Sequence, residues 1–314
     1  MASLLFIAPA DLGEAVLATG ALDLALETYG EATLVCAPEA ACLFRAVPGL
    51  VGLHRIKPGA GPVGWLRVWR ALAGKRFDLA IDARGGVLAR TLLARRRIGP
   101  RQGALLRHRV EDWAAWMGAE RARAPKLWID DAARAAAARI APDSAPLVVL
   151  APGGAAEAKR WPAERFAAIA RRLAGGPLSG ARIMLLGAAA RDGDITRAIA
   201  QSLDADGLGA HDLSGKLDLL AAAALLERAT LCIGNDNALS HIAAVMGAPT
   251  LTLFGPTDER VRAPYGPRAR ALRGRAYEEI MAIPAPRARS PMEDVGVDAV
   301  EAAALDLLHA GGLR

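Results

Sequence analysis

Only three cysteines occur in the 314 residues, Cys36, Cys42 and Cys232, each in an apolar setting and none in a Cys-x-x-Cys pair. With no histidines at matching spacing, that argues against a disulfide framework and a zinc site, and makes a reducing cytosol the simplest home. Aromatic residues are 4 % of the chain. Few of them interleave with the basic residues, and no nucleic-acid-binding module is recognisable, so nucleic acid is not an expected partner. Long apolar runs are missing as well: LLAAAALL at 219–226 falls well short of the roughly 18 residues a membrane-spanning helix needs. The opening MASLLFIAPADLGEAV has no basic leader and reads as a first strand, not a signal peptide. Neither a Gly-Lys-Ser/Thr phosphate loop nor a G-x-G-x-x-G turn follows any strand, so the two commonest nucleotide fingerprints are absent.

What remains is an Ala-, Leu-, Val- and Ile-rich globular chain, 53 % hydrophobic, with a net charge of +6. The positive charge is concentrated at Arg84, Arg90, Arg95, Arg96, Arg97, Arg101, Arg107, His108 and Arg109. Such a cluster suits a phosphate-bearing acceptor or anionic lipid headgroups, or is simply a solvated face. Arg84 and Arg90 are the acceptor-binding candidates within it. Strand-like runs at 4–9, 32–37, 53–56 and 78–83, and again at 147–152, 182–187, 211–215, 230–234 and 250–255, alternate with amphipathic, Ala-rich segments. This is the α/β alternation of doubly wound sheets, twice over. Pro142, Asp143, Ser144 and Pro146 mark the expected joint. The expected domains are therefore 1–143 and 144–296, followed by a last helix over 297–314.

Ligands of open α/β sheets bind beyond the carboxyl ends of the strands, which singles out three loops. The first, 8–14, offers Asp11 and Glu14. Spacing favours Asp11 as a helix cap and Glu14 as a first-turn dipole partner, and the competing role for either is to accept a proton from a substrate hydroxyl. In the second loop, APGGAAEAKRWP at 151–162, Gly153 and Gly154 let the backbone approach a ligand and Lys159 supplies a point charge for phosphate. The third begins IGNDNALSH at 233, where Asp236 or Asn237 caps a helix whose first amides, around Ala238, suit an anion, with His241 one turn in. A core histidine and a solvated lysine are the ordinary alternatives.

Taken together, LGEAVLATGAL, PGGAAEAKRWPAERFAAIARRLA and GNDNALSHIAAVMGAPTLTLFGPTD, in this order, resemble glycosyltransferase family 9, the ADP-heptose:lipopolysaccharide heptosyltransferases. The resemblance implies a GT-B architecture: two Rossmann-like doubly wound domains facing a cleft, acceptor on the first and nucleotide sugar on the second, with the last helix crossing back. It implies an inverting transfer, without a metal or other cofactor, from a nucleoside-diphosphate sugar to a lipid-linked lipopolysaccharide-core acceptor. The enzyme would be cytoplasmic, on the inner face of the cytoplasmic membrane. Glu14 falls where the family commonly has its catalytic aspartate, Lys159 on the phosphate-binding lysine, and Asp236 and His241 on the acid and histidine of the donor loop. Asp-Asn-Ala stands at 236–238 in place of the family's Asp-Ser-Gly or Asp-Thr-Gly. Those departures set up the competing reading, a binding or scaffold protein that keeps the fold without the chemistry.

Overall fold

The structure, a computed structural model, describes residues 2–100, 106–142, 144–283 and 289–310. It divides into two compact units, Met1–Asp130 and Asp131–Arg314. The first holds five parallel strands, β1 (Ser3–Ile7), β2 (Glu31–Cys36), β3 (Leu50–Arg55), β4 (Arg76–Asp82) and β5 (Leu93–Ile98), in the order β3-β2-β1-β4-β5. The second holds six: β6 (Leu147–Ala151), β7 (Arg182–Leu185), β8 (Ala210–Asp212), β9 (Leu231–Asn235), β10 (Thr250–Phe254) and β11 (Ala269–Arg273). Their order is β11-β10-β9-β6-β7-β8, again all parallel. Both sheets start at a central strand, run to one edge, then return to build the other side. Each therefore has one switch point, between β1 and β4 in the first unit and between β6 and β9 in the second.

The central strands are buried on both faces, as parallel sheets covered by helices require; every residue of LVVLA in β6 and TLTLF in β10 is buried. Two strands, β5 and β11, are absent from the sequence reading. Both are edge strands, LARRRI and ARALR, whose charged residues shield an open edge and break up the apolar signal.

The division between units falls ahead of the proline-interrupted joint at 142–146. Helix Asp131–Ile140, expected in the first domain, packs on helix Leu219–Leu226 of the second. Arg134 pairs with Glu227 at 2.5 Å, and Arg228 donates to the Ala141 carbonyl at 2.8 Å. The last helix, Val297–Ala310, packs on helix Ala163–Ala174, β10 and β11, pinned by Arg172 to Asp298 and Glu301 and by Arg270 to Asp306. Among the described residues, no helix is long and apolar enough to cross a membrane.

Candidate active site

In the second unit the loops leaving β6 and β9 meet at the switch point, and a buried amide joins them. Asn235, the last residue of β9 and wholly buried, donates from Nδ2 to the Pro152 carbonyl at 2.6 Å and accepts the Trp161 amide N–H at Oδ1 (3.2 Å). Gly234 beside it leaves room for this approach: a methyl there would lie 2.5 Å from Ser240 Oγ and 2.9 Å from Ala151 Cβ. Trp161, also wholly buried, donates its indole N–H to Val295 O at 2.8 Å and stacks edge-on against Phe166. Neither Asn235 nor Trp161 was among the candidate residues. The partner that fixes Trp161, Val295, lies 134 positions away, so the local pattern does not mark the tryptophan that anchors the loop.

The helix cap resolves to Asn237, which heads helix Ala238–Val245. Its Oδ1 accepts from the amides of Leu239 (2.9 Å) and Ser240 (3.2 Å), while Nδ2 donates to Ala151 O and Gly153 O, both at 2.9 Å. One side chain thus caps the helix and ties it to the β6 loop. A serine or threonine hydroxyl caps equally well but has a single donor proton, so it cannot make both ties. Asn237→Ser is expected to keep the cap, lose the two ties and lower stability by about 1–3 kcal/mol, from two partly buried hydrogen bonds. Urea denaturation checks this, and an unchanged or raised midpoint would show that the loop does not depend on the amide.

With Asn237 as the cap, Asp236 turns to other partners. Its Oδ2 accepts from Lys159 Nζ at 2.6 Å, and its Oδ1 lies 4.0 Å from His241 Nε2. The three side chains are 9 %, 23 % and 5 % exposed in the order Asp236, Lys159, His241. Residues 77 and 82 positions apart along the chain therefore form one acid, lysine and histidine group beside the helix start, where Ala238 is the first helical residue and only partly buried. A methyl at Gly153 would lie 2.4 Å from Asp192 Oδ2, so glycine there admits the buried Asp192 carboxylate. At Gly154 a methyl would meet Arg160 Cγ at 3.0 Å. Arg160 in turn donates to Gly154 O from Nε (3.2 Å) and Nη2 (3.1 Å) and lies 3.6 Å from Asp192, which braces the loop that carries Lys159.

In the first unit the loops leaving β1 and β4 meet in the same way. Asp11 is the cap of helix Leu12–Leu17, accepting the Glu14 amide at 2.9 Å, and is exposed. Glu14, with a side chain only 12 % exposed, pairs with Arg109 Nε at 2.9 Å; Arg109 also holds Asp112 at 3.0 Å. This arginine is the partner that spacing could not assign, since it lies 95 positions away. Arg84 donates from Nε to Ala8 O at 2.9 Å, and its guanidinium lies 5.5 Å from the Trp65 ring centroid. Its backbone N–H bonds Asp82 Oδ1 at 2.9 Å. Burial pushes the Asp82 carboxyl above the usual carboxylate range, against the opposing pull of the Arg84 and Gly85 amides. Arg90 is exposed on the short helix Leu88–Thr91 and forms no ion pair among the described residues. Arg101, the sixth of the basic cluster, lies outside the described residues.

Two parallel-stranded, Rossmann-like units, each with its polar loops at a switch point, make this a GT-B-type fold. The chain belongs to glycosyltransferase family 9 (heptosyltransferase), whose model matches residues 114–283. That span contains Lys159, Asp236 and His241 and leaves Glu14 outside. The chain is 32 % identical over 130 residues to the lipooligosaccharide heptosyltransferase 2 of Haemophilus influenzae; the alignment takes in 41 % of this chain and 36 % of that protein. It thus spans about a third of the length of the curated relatives it matches first. Among solved structures, a glycosyl transferase family 9 protein from Veillonella parvula superposes with a TM-score of 0.85 at 20 % identity, covering 98 % of both chains. An Escherichia coli ADP-heptose lps heptosyltransferase II superposes at 0.78 with 19 % identity, covering 98 % of this chain and 99 % of that one.

Proposed function

We propose that this chain is an inverting glycosyltransferase that moves a heptose from ADP-heptose to a lipid-linked, lipopolysaccharide-core-type acceptor. The Lys159–Asp236–His241 group at the second unit's switch point is the observation that carries the reading. There Lys159 Nζ faces the diphosphate, the backbone amide of Ala238 adds a hydrogen bond at the helix's positive end, and Asp236 holds the lysine in place. Asp236 and His241 together orient that end of the site. The charge that builds on the departing diphosphate is met by these groups, so no metal is needed. On the acceptor side Glu14 takes the proton. The acceptor oxygen bonds to the anomeric carbon, the bond from that carbon to the diphosphate oxygen breaks, and ADP leaves with the electron pair. The attack from the opposite face inverts the anomeric configuration. Arg109 orients the Glu14 carboxylate, Asp11 is the reserve base, and Arg84 and Arg90 meet the acceptor's anionic groups.

The binding-only alternative drew on the departures at positions 14, 237 and 238. Asn237 also has a structural role, since its amide makes four hydrogen bonds within the chain.

The test is a transfer reaction with ADP-heptose and a heptose-free core acceptor in the presence of EDTA. The expected product is the acceptor carrying one heptose, in the opposite anomeric configuration to the donor, with one ADP released per transfer. Donor binding without product across a panel of core acceptors would favour the scaffold. A donor altered when no acceptor is present would point to an epimerase.

A further inference from the structure

The loop leaving β10, residues 255–258, is held by one buried arginine on the neighbouring edge strand. Arg273 is the last residue of β11 and stands beside Phe254 in the sheet register. Its side chain is 12 % exposed. Nη1 donates to the Gly255 carbonyl at 3.3 Å and Nη2 to the Thr257 carbonyl at 2.6 Å. Nη2 also pairs with Glu259, which compensates the buried positive charge, and the guanidinium lies 5.7 Å from the Tyr277 ring centroid. The mount is rigid. Gly274 packs on the Asp294 backbone with no room for a side chain, and Val295, next along, accepts the Trp161 indole N–H at 2.8 Å.

The loop that Arg273 holds is a wall of the acid, lysine and histidine group. The Asp236 amide donates to the Leu253 carbonyl at 3.1 Å, so β10 runs beside the β9 loop almost to Gly255. Gly255 then rests against the loop that carries Lys159: a methyl there would lie 2.9 Å from the Ala158 carbonyl oxygen and 2.8 Å from Met292 Sδ. Packed contacts therefore run from Arg273 through Gly255 to the residue before Lys159, whose Nζ reaches Asp236 at 2.6 Å.

Gly255 has no side chain to anchor it and Pro256 has no N–H, so the carbonyls are what the fold can grip here. A planar guanidinium bonds two of them at once and fixes the loop's orientation as well as its position. The other tie, Arg260 to Asp258 at 2.8 Å, uses an arginine 45 % exposed and holds the loop weakly by comparison.

We propose that Arg273 is a positioning residue for nucleotide binding: it sets the 255–258 loop against the Ala158–Lys159 backbone and so fixes where the Lys159 ammonium meets the diphosphate. Arg273 itself touches no substrate. The inference rests on the role given to Lys159 in the proposed function.

The experiment is calorimetric titration with ADP, well below every melting point, of the wild type, Arg273→Met, Arg273→Lys and Arg171→Gln. Arg273→Met is expected to weaken ADP binding by about tenfold or more, because a displaced lysine meets the diphosphate poorly. Arg273→Lys should show a smaller loss in the same direction, and it carries the test if the methionine variant fails to fold. Arg171, in the last turn of helix Ala163–Ala174, bonds the Ser202 carbonyl at 2.9 Å and pairs with Asp206 at 2.5 Å. Its glutamine variant should lower the melting temperature and leave ADP affinity unchanged. In turnover, the Arg273 variants should raise the donor KM and leave the acceptor KM alone, whereas partial unfolding lowers kcat and moves neither. In a Lys159→Met background, Arg273→Met should cost little further affinity, since the two changes act on one contact.

ADP binding by both Arg273 variants as tight as the wild type's would overturn the proposal while leaving the role of Lys159 intact. So would a full additional loss in the Lys159→Met background, or a loss in Arg171→Gln equal to that in Arg273→Met. A wild type that binds no ADP would overturn the role of Lys159 and this inference with it.

Discussion

Replacing Glu14 with glutamine is expected to lower kcat by about 10²–10⁴-fold, the usual contribution of a positioned general base, with ADP affinity nearly unchanged. The geometry gives the reason for both halves. Glu14 sits at the carboxyl edge of the first sheet with its side chain 12 % exposed and one oxygen 2.9 Å from Arg109 Nε, so its position is fixed before any substrate arrives. Glutamine fills the same volume and still accepts a hydrogen bond from Arg109 but takes no proton. Steady-state kinetics separate the outcomes. A fall in kcat with an unchanged ADP dissociation constant supports the role, and unchanged kcat removes it from Glu14. Asp11→Asn is the companion variant. Because Asp11 Oδ1 already caps helix Leu12–Leu17, its asparagine keeps the cap, and a large kcat loss there instead would move the base to Asp11. Arg109→Gln should give a smaller loss than Glu14→Gln, since it disturbs the base's aim without removing it.

Changing Lys159 to methionine is expected to weaken ADP binding by about 10- to 100-fold, the range for losing a hydrogen bond from a charged donor. The same change leaves the Asp236 carboxylate, 9 % exposed, without its 2.6 Å partner, so thermal stability should fall as well. A second variant separates the two effects. Lys159→Met combined with Asp236→Asn removes the stranded charge and should regain stability without regaining ADP affinity. If affinity returned together with stability, the lysine would serve only to hold the fold. Calorimetric titration with ADP and a thermal melt of the ligand-free protein supply both readouts.

The parts of this fold that were legible in the sequence share a physical cause. β1, β2, β4, β6, β9 and β10 are central or flanked strands with apolar side chains on both faces, so their runs stand out against polar loops. Edge strands lack that constraint, and in LARRRI and ARALR arginines break up the apolar run, whereas LVGLHR at the other edge of the first sheet keeps enough of it to read as a strand. Helix Asp131–Ile140 was legible as a helix but not as a member of the second unit, because its partner, Leu219–Leu226, lies some 80 positions away. At the site, Lys159, Asp236 and His241 could be picked out by residue type and loop position, and the structure places them together. Their supports could not be found in that way. Asn235 is a buried strand end bonding two loops. Gly153 also makes room for the Asp192 carboxylate, which lies far along the chain. The Asn237 amide, which stands where the family has a hydroxyl, makes more bonds than a hydroxyl can. Local pattern reports which residue types sit at a sheet edge, whereas pairings across 77 or 95 positions are set by topology alone.

The most direct measurement of the central claim is a crystal structure of the chain with ADP bound. The proposed function predicts the diphosphate within hydrogen-bond distance of Lys159 Nζ and the Ala238 backbone amide, at the carboxyl ends of β6 and β9. ADP bound at another place on the chain, or a saturated complex in which Lys159 stays paired only with Asp236, would contradict it.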